Sequence, residues 1–399
     1  MTIEQATSTR HILGQFTEEQ EAIREAVTDL CSRYPDEYWR ELDAKREYPE
    51  AFVKALQDAG WLSILIPEEY GGGGRPITDG AIVLEAINRS GCGAQAAHAQ
   101  MYTMGTVLRH GSEEQKQRYL PKIASGEMRL QSFGVTEPNA GSDSTRIETT
   151  AVRKGDRYVV NGTKIFTSRV QHSELMVLLC RTTPYDQVEK KTDGVSVLLV
   201  DLDQARAAGT LEVRPIRTMV NHETNQLFFN DLEVPVENLI GEEGKGFRCI
   251  LSGMNSERIL VASECLGDGF WFIDRASRYA SERVVFGRPI GQNQGVQFPI
   301  AQALAQLEAA SLMRWKAAAL FEAGEQPGFE ANCAKLLCSQ ATWAAANACM
   351  DTYGGYGFAE EYDVERKFRE VRLQMVAPVA NNMVLAYIGH GVLGMPKSY

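Results

Sequence analysis

The stretch "DRYVVNGTKIFTS" (residues 156–168) decides how the chain divides. Tyr158, Val159, Val160, Ile165 and Phe166 are β-branched or aromatic, and the helical period of the preceding sequence stops here. Asn161-Gly162 joins two β-rich runs and is the strongest short signal for a two-residue turn, so the stretch predicts a hairpin. "ELMVLLCRT", "GVSVLLVDL", "TLEVRPI" and "NQLFFNDLEVP" follow as further strands, which predicts a compact antiparallel β domain over residues 129–239. Towards the N-terminus, residues 1–128 read as helical. "FTEEQEAIREAVTDLCSRY" opens with Thr17 and Gln20 at capping-box spacing and continues with Ile23, Val27 and Leu30 on one face. "PEAFVKALQDAGW" and "TDGAIVLEAINRSG" keep that period, and "SEEQKQRYLPKIASGE" reads as a short helix stopped by its proline. Towards the C-terminus, residues 240–399 carry long Ala- and Leu-rich periodic segments that predict a four-helix bundle. The predicted fold class is α+β multidomain: N-terminal helical domain, middle β domain, C-terminal bundle.

Composition excludes several functions. The 399 residues are 44% hydrophobic and 23% charged, which is globular, and 41 basic against 52 acidic residues give a net charge of -11. A general nucleic-acid binder shows a basic face, so that class is set aside. The start lacks the charged and apolar regions of a secretion signal, and no apolar run reaches the ~18 residues of a membrane span. Eight scattered cysteines without a CxxC, and six histidines without an HxxxH pair, point to reduced thiols, a cytoplasmic location and no metal site.

One residue breaks the pattern of the C-terminal part. Around "MNSERILVASECLG" (residues 254–267), apolar residues recur at Ile250, Met254, Val261 and Cys265, and Glu257 falls on the same stripe. Such a carboxylate is either paired with a neighbour such as Arg258, the usual fate of helix acids, or aimed into a site.

At "VTEPNAGSD" (residues 135–143) the sequence resembles the acyl-CoA dehydrogenase family. "HGSEEQKQRYLPKIASGE", "NGTKIFTS", "SERVVFGRPIGQNQ" and "YGGYGFAEEYDVERKFREVRL" resemble further family signatures in family order, so the likeness covers essentially the whole chain. It implies an FAD enzyme of helical, β and helical domains, usually a homotetramer built as a dimer of dimers. It also implies an acyl-CoA substrate and an electron-transfer flavoprotein as acceptor. By this resemblance Phe133, Val135 and Thr136 line the flavin, and Ser142 touches the CoA part. Phe166 and Ser168 stand where the family often has a tryptophan and a threonine beside the flavin rings. Arg283, Phe286 and Gln294 reach the FAD of a neighbouring subunit, where a planar guanidinium suits a pyrophosphate. Gly354, Gly355 and Gly357 let backbone approach the adenosine-diphosphate part.

The implied reaction removes a proton beside the thioester carbonyl, and a carboxylate in a dry pocket is a suitable base. Many family members carry that glutamate shortly after the segment resembling "FREVRL". Here the position is Pro378, within "QMVAPVANNM", which offers neither a carboxylate nor an N–H for the thioester carbonyl. Ala380 and Asn382 also replace polar residues that commonly assist FAD. One branch, including isovaleryl-CoA and long-chain acyl-CoA dehydrogenases, instead carries its glutamate where "MNSERILVA" places Glu257, making Glu257 the candidate base. Asn255 and Arg258 then fall on the substrate side, Arg258 with an equal claim to a structural ion pair. In "GCGAQAAHAQM" (residues 91–101), Gln100 is either a polar floor of the acyl pocket or a satisfied helix polar. Three other functions are compatible with the resemblance: an acyl-CoA oxidase, a non-redox elimination such as desulfination, and a non-catalytic subunit that binds acyl-CoA or FAD.

Overall fold

The computed structural model describes residues 16–397; the first fifteen residues of the leader reading lie outside them. A helical N-terminal part, a β middle part and a helical C-terminal part follow one another along the chain. Contacts gather these into two compact units, each drawn from several stretches. Among the described residues, one takes 46–75 and 95–254, the other 16–45, 76–94 and 255–397.

The first unit is built on a sheet of eight strands: β1 Ser132–Gly134, β2 Thr150–Lys154, β3 Arg157–Ser168, β4 Leu175–Arg181, β5 Val195–Asp201, β6 Leu211–Pro215, β7 Thr224–Pro235 and β8 Leu239–Ile240. Their order is β6-β7-β3-β2-β4-β5-β8, with β1 beside β4. The sheet is mixed rather than purely antiparallel, because β1 and β2 both run parallel to β4. All seven residues of β4 are buried, and their alternation feeds two cores. Leu175, Val177 and Leu179 join Met104, Val107, Tyr119 and Leu120 of the helices Gln95–His110 and Glu113–Ser125. Met176, Leu178 and Cys180 join Val160, Leu198, Leu227 and Phe229 on the other face.

Two local expectations are corrected here. Asn161-Gly162 is not a turn: β3 runs straight through it, and the tight turn lies earlier, at Gly155-Asp156, between Lys154 and Arg157. Gly162 instead marks a bulge against β7, and its φ is +149°. A Cβ there would stand 2.6 Å from the Thr149 Cα, so the glycine serves a close approach of two strands. Pro121 does not stop its helix either. The helix Glu113–Ser125 carries Pro121 inside it and ends at Gly126, whose φ of +80° the proline could not supply.

The second unit is helical. Glu18–Ser32 opens with the expected capping box, the Thr17 hydroxyl accepting from the Gln20 N–H. Its other helices include Ile77–Arg89, Gln294–Glu322, Gly328–Tyr353 and Val364–Leu373, with the greater part of Gly246–Glu282. Buried charges tie them together: Arg314 to Glu85 at 2.7 Å, and Lys367 to Asp268 at 2.5 Å with Asn88 and Gln374 also donating to that carboxylate. All eight cysteines are buried free thiols. Among the described residues no helix is long and apolar enough to cross a membrane, and no cluster of three or more His, Cys, Asp or Glu could hold a metal.

Candidate active site

The loop at residues 135–143 is tightly organised by its own chain. Glu137 and Ala140 exchange two backbone hydrogen bonds of 3.1 Å, closing a turn around Pro138 and Asn139. The Glu137 carboxylate, 6% exposed, accepts from the Glu148 N–H at 2.6 Å, the Thr149 N–H at 3.0 Å and the fully buried Lys164 ammonium at 2.7 Å. Burial opposes that charge, but Lys164 and the donated hydrogen bonds outweigh it and hold the carboxyl below its usual value. Lys164 Nζ also donates to the Val135 carbonyl at 3.0 Å, and the Ile165 N–H donates to the Thr136 carbonyl at 2.9 Å. Val135 and Thr136 are thereby fixed beside the end of β3. Phe133 packs edge-on against Tyr102 at 5.6 Å, and Ser142 is exposed beyond the turn.

Phe166 sits in the bulge that follows Lys164. Its φ is +58°, its ring is 61% exposed, and it is therefore not a β-core residue. A phenylalanine held in left-handed backbone and shown to solvent costs stability twice over, a pattern that gathers at ligand clamps. Ser168 is half-buried; its hydroxyl accepts from Asn221 Nδ2 at 2.8 Å and lies 3.1 Å from the Thr224 hydroxyl.

The helical unit repeats the motif. Val284–Val285 and Arg288–Pro289 pair as a small hairpin whose turn is Phe286-Gly287, both at positive φ. Phe286 occupies a position that favours Asn or Gly, with its ring fully exposed. The Arg283 guanidinium lies over the Tyr356 ring, 5.4 Å from its centroid, which brings "SERVVFG" and "YGGYG" together. Gly354 has φ +58° and ψ -131°, a conformation closed to other residues, and both Gly354 and Gly355 face open space. Gln294 is exposed at the first turn of its helix. Flat exposed rings, a guanidinium and bare backbone fit a planar ring system with a pyrophosphate.

Glu257 is 6% exposed and Ser256 beside it 5%, so the carboxylate is on a buried face, as are Val261 and Cys265. Asn255 and Arg258 are half-buried. Burial lowers the Arg258 guanidinium, and the Glu257 carboxylate offsets part of that. Lys335, fully buried on Gly328–Tyr353, is lowered to about 8, first by burial and against the pull of Cys265 and Glu257. Its ammonium donates to the Val379 carbonyl and to Asn381 Oδ1, both at 2.7 Å, and Asn381 Nδ2 donates to Ser339 Oγ at 3.0 Å. The segment around Pro378 is thus anchored from below by a lysine that sequence reading passed over. Its signal was a lone cation in the apolar run "NCAKLLCS". Glu137 and Lys164 were likewise missed as a pair, although each stood in a quoted motif.

Gln100 is fully buried in the first unit; its Oε1 accepts from Gln131 Nε2 at 3.4 Å, while its Nε2 has no partner.

The chain is also similar to known proteins over nearly its whole length. The chain matches the models of the acyl-CoA dehydrogenase N-terminal domain over residues 17–127, middle domain over 132–232 and C-terminal domain over 244–393. It is 32% identical over 390 residues to the acyl-CoA dehydrogenase FadE12 of Mycobacterium tuberculosis, covering 96% of this chain and 98% of that protein. It is 33% identical over 390 residues to the cyclohex-1-ene-1-carbonyl-CoA dehydrogenase of Syntrophus aciditrophicus, covering 97% and 93%. The solved complex of glutaryl-coenzyme A dehydrogenase with glutaryl-CoA is similar at a TM-score of 0.88 and 29% identity, covering 96% of this chain and 97% of that one.

Proposed function

Because the chain belongs to the acyl-CoA dehydrogenase family of FAD-dependent oxidoreductases acting on CH–CH donors, we propose that Glu257 is the base in the α,β-dehydrogenation of an acyl-CoA thioester to its trans-2-enoyl-CoA. The carrying observation is a buried carboxylate at Glu257 together with a proline at the other family position for the base. Glu257 takes the α-proton, and the electron pair of that C–H bond becomes the new C=C bond as hydride leaves the β-carbon. FAD, when bound, would supply the hydride acceptor, with an electron-transfer flavoprotein as the onward acceptor. Val135 and Thr136, held by Lys164 and Ile165, are rigid enough to orient the ring edge, and Phe166 gives it an apolar face. Ser142 contacts the CoA part, and Asn255 and Arg258 lie on the substrate side. Arg283, Phe286, Gln294, Gly354 and Gly355 serve the FAD of a neighbouring copy in a homotetramer. That reading is supported by the Phe286 ring, which has no cover from its own chain.

The test is anaerobic mixing of the purified holoenzyme with straight, branched and bulky acyl-CoA thioesters, following loss of the oxidised flavin band. Wild type should bleach with at least one, and Glu257→Gln should slow that step by about 10²- to 10⁴-fold, the span of general-base catalysis. Equal bleaching in both proteins moves the base elsewhere; no bleaching with any thioester removes the dehydrogenase reading.

A further inference from the structure

The unpartnered amide of Gln100 belongs to a small polar cluster with a fixed direction. Tyr48 is 7% exposed, and its ring stacks on His172 at 4.0 Å with an interplanar angle of 9°. Burial pushes the Tyr48 phenol up to about 12, so it keeps its proton and donates, at 2.7 Å, to Gln131 Oε1. That bond orients the Gln131 amide, whose Nε2 must then face Gln100. Gln100 in turn has to offer its oxygen to Gln131, which leaves Nε2 as a donor with nothing to donate to. Gln100 and Gln131 are 0% and 1% exposed, so bulk water does not satisfy it. Native interiors seldom leave such a donor unused, and each case asks for an explanation.

The cluster's position supplies one. Phe133 is the middle residue of β1, and Gln131 and Val135 flank that strand two residues to either side; continuing its alternation puts all three on one face, with Gln131 about 7 Å along from Phe133. Phe133 and Val135 pack against the core cluster to which Met104 and Val107 of the Gln100 helix belong, and Tyr102 of that helix lies against Phe133. The free donor therefore stands on the same side as the residues assigned to the flavin wall. We propose that Gln100 Nε2 recognises an oxygen atom on the acyl chain, so that the substrate is a thioester whose acyl group carries a hydroxyl or carbonyl oxygen beyond the reacting carbons. This rests on the dehydrogenase reading, which supplies the thioester and the wall. Gln100 is the contact, and Gln131 and Tyr48 are positioning residues that aim it.

The experiment uses the holoenzyme and matched acyl-CoA pairs of equal chain length. One member is a plain hydrocarbon; the other carries a hydroxyl or keto group at successive carbons. Both anaerobic bleaching and calorimetric binding are read. At one oxygen position the oxygenated member should exceed its plain partner by about 10- to 100-fold in kcat/KM, the range for a buried donor gaining or missing its acceptor. Gln100→Leu should abolish or invert that ratio, and the closer isostere Gln100→Met should do the same if the leucine variant fails to fold. Tyr48→Phe should reduce the ratio by releasing the Gln131 amide. A ratio near one at every position, in bleaching and in binding, overturns the inference and leaves Gln100 as the seat of a buried water. The ratio surviving unchanged in both Gln100 variants overturns it as well. An oxygen preference in binding without bleaching by any thioester would uphold the inference and refute the dehydrogenase reading alone.

Discussion

Replacing Glu137 by alanine should unfold the loop at residues 135–143 from beneath, and its cost can be worked from the contacts. Lys164 is fully buried and has the Glu137 carboxylate at 2.7 Å as its counter-charge, with the Val135 carbonyl as a further acceptor. Removing one partner of a buried ion pair costs about 3–5 kcal/mol, because the remaining charge stays desolvated. The Thr149 N–H loses its acceptor too; Thr149 is 1% exposed, so an unmade bond there adds about 1–3 kcal/mol. The Glu148 N–H belongs to an exposed residue and can turn to water. We expect Glu137→Ala to lose about 4–8 kcal/mol, a large part of the about 5–15 kcal/mol that holds a protein folded. The double variant Glu137→Gln with Lys164→Met keeps an acceptor for the two N–H groups and removes the stranded ammonium, so it should lose only about 1–2 kcal/mol. Urea unfolding followed by tryptophan fluorescence, with flavin retained after gel filtration as a second readout, compares the three proteins. A loss below about 1 kcal/mol in Glu137→Ala, or a double variant no more stable than the single one, would refute the argument that the pair's charge balance fixes the loop.

Two further outcomes follow, one from each unit. Phe166→Gly relieves left-handed backbone while giving up little burial, so the apoprotein should gain about 1 kcal/mol as the holoprotein loses flavin more readily; a less stable apoprotein with unchanged flavin retention would contradict this. Lys335, lowered to about 8 from an ordinary 10.5, binds fewer protons folded than unfolded between those values. Its contribution is at its worst below about pH 8 and improves as pH rises through that window, so wild type should gain on Lys335→Met in melting temperature from pH 8 to 10, and a flat difference would count against it.

Helix periods and β-rich runs were enough to place the three parts in order, because each reports burial of one face by residues close in sequence. What the dipeptide Asn161-Gly162 could not report was its partner. It announces a backbone that needs no Cβ, which serves a bulge under Thr149 as well as a turn. Pro121 misled for the reverse reason: losing one N–H stops an isolated helix, yet here the helix runs on to Gly126. Among the candidate residues, Phe166 and Phe286 could be named from quoted motifs, and both rings are exposed. Pairs could not. Glu137 and Lys164 lie 27 residues apart and Lys335 and Asn381 46 apart, so only the fold makes either into a unit. Gln100 shows the limit most plainly, since a polar residue within a helix reads as satisfied until each of its donors is traced to an acceptor.

The interleaving of the two units bears on how the chain is made. Arg40 pairs with Asp363 and Asp43 with Arg369, partners 323 and 326 residues apart. At the pace of synthesis, about 5–20 residues per second, the helix Asp36–Lys45, which carries both Arg40 and Asp43, emerges roughly 15–65 s before their counter-charges exist. Residues 46–254, which contain every strand of the large sheet, are complete well before then. This early helix is therefore among the last to complete its ion pairs. For that interval the nascent protein offers its unpaired charges to whatever waits at the ribosome.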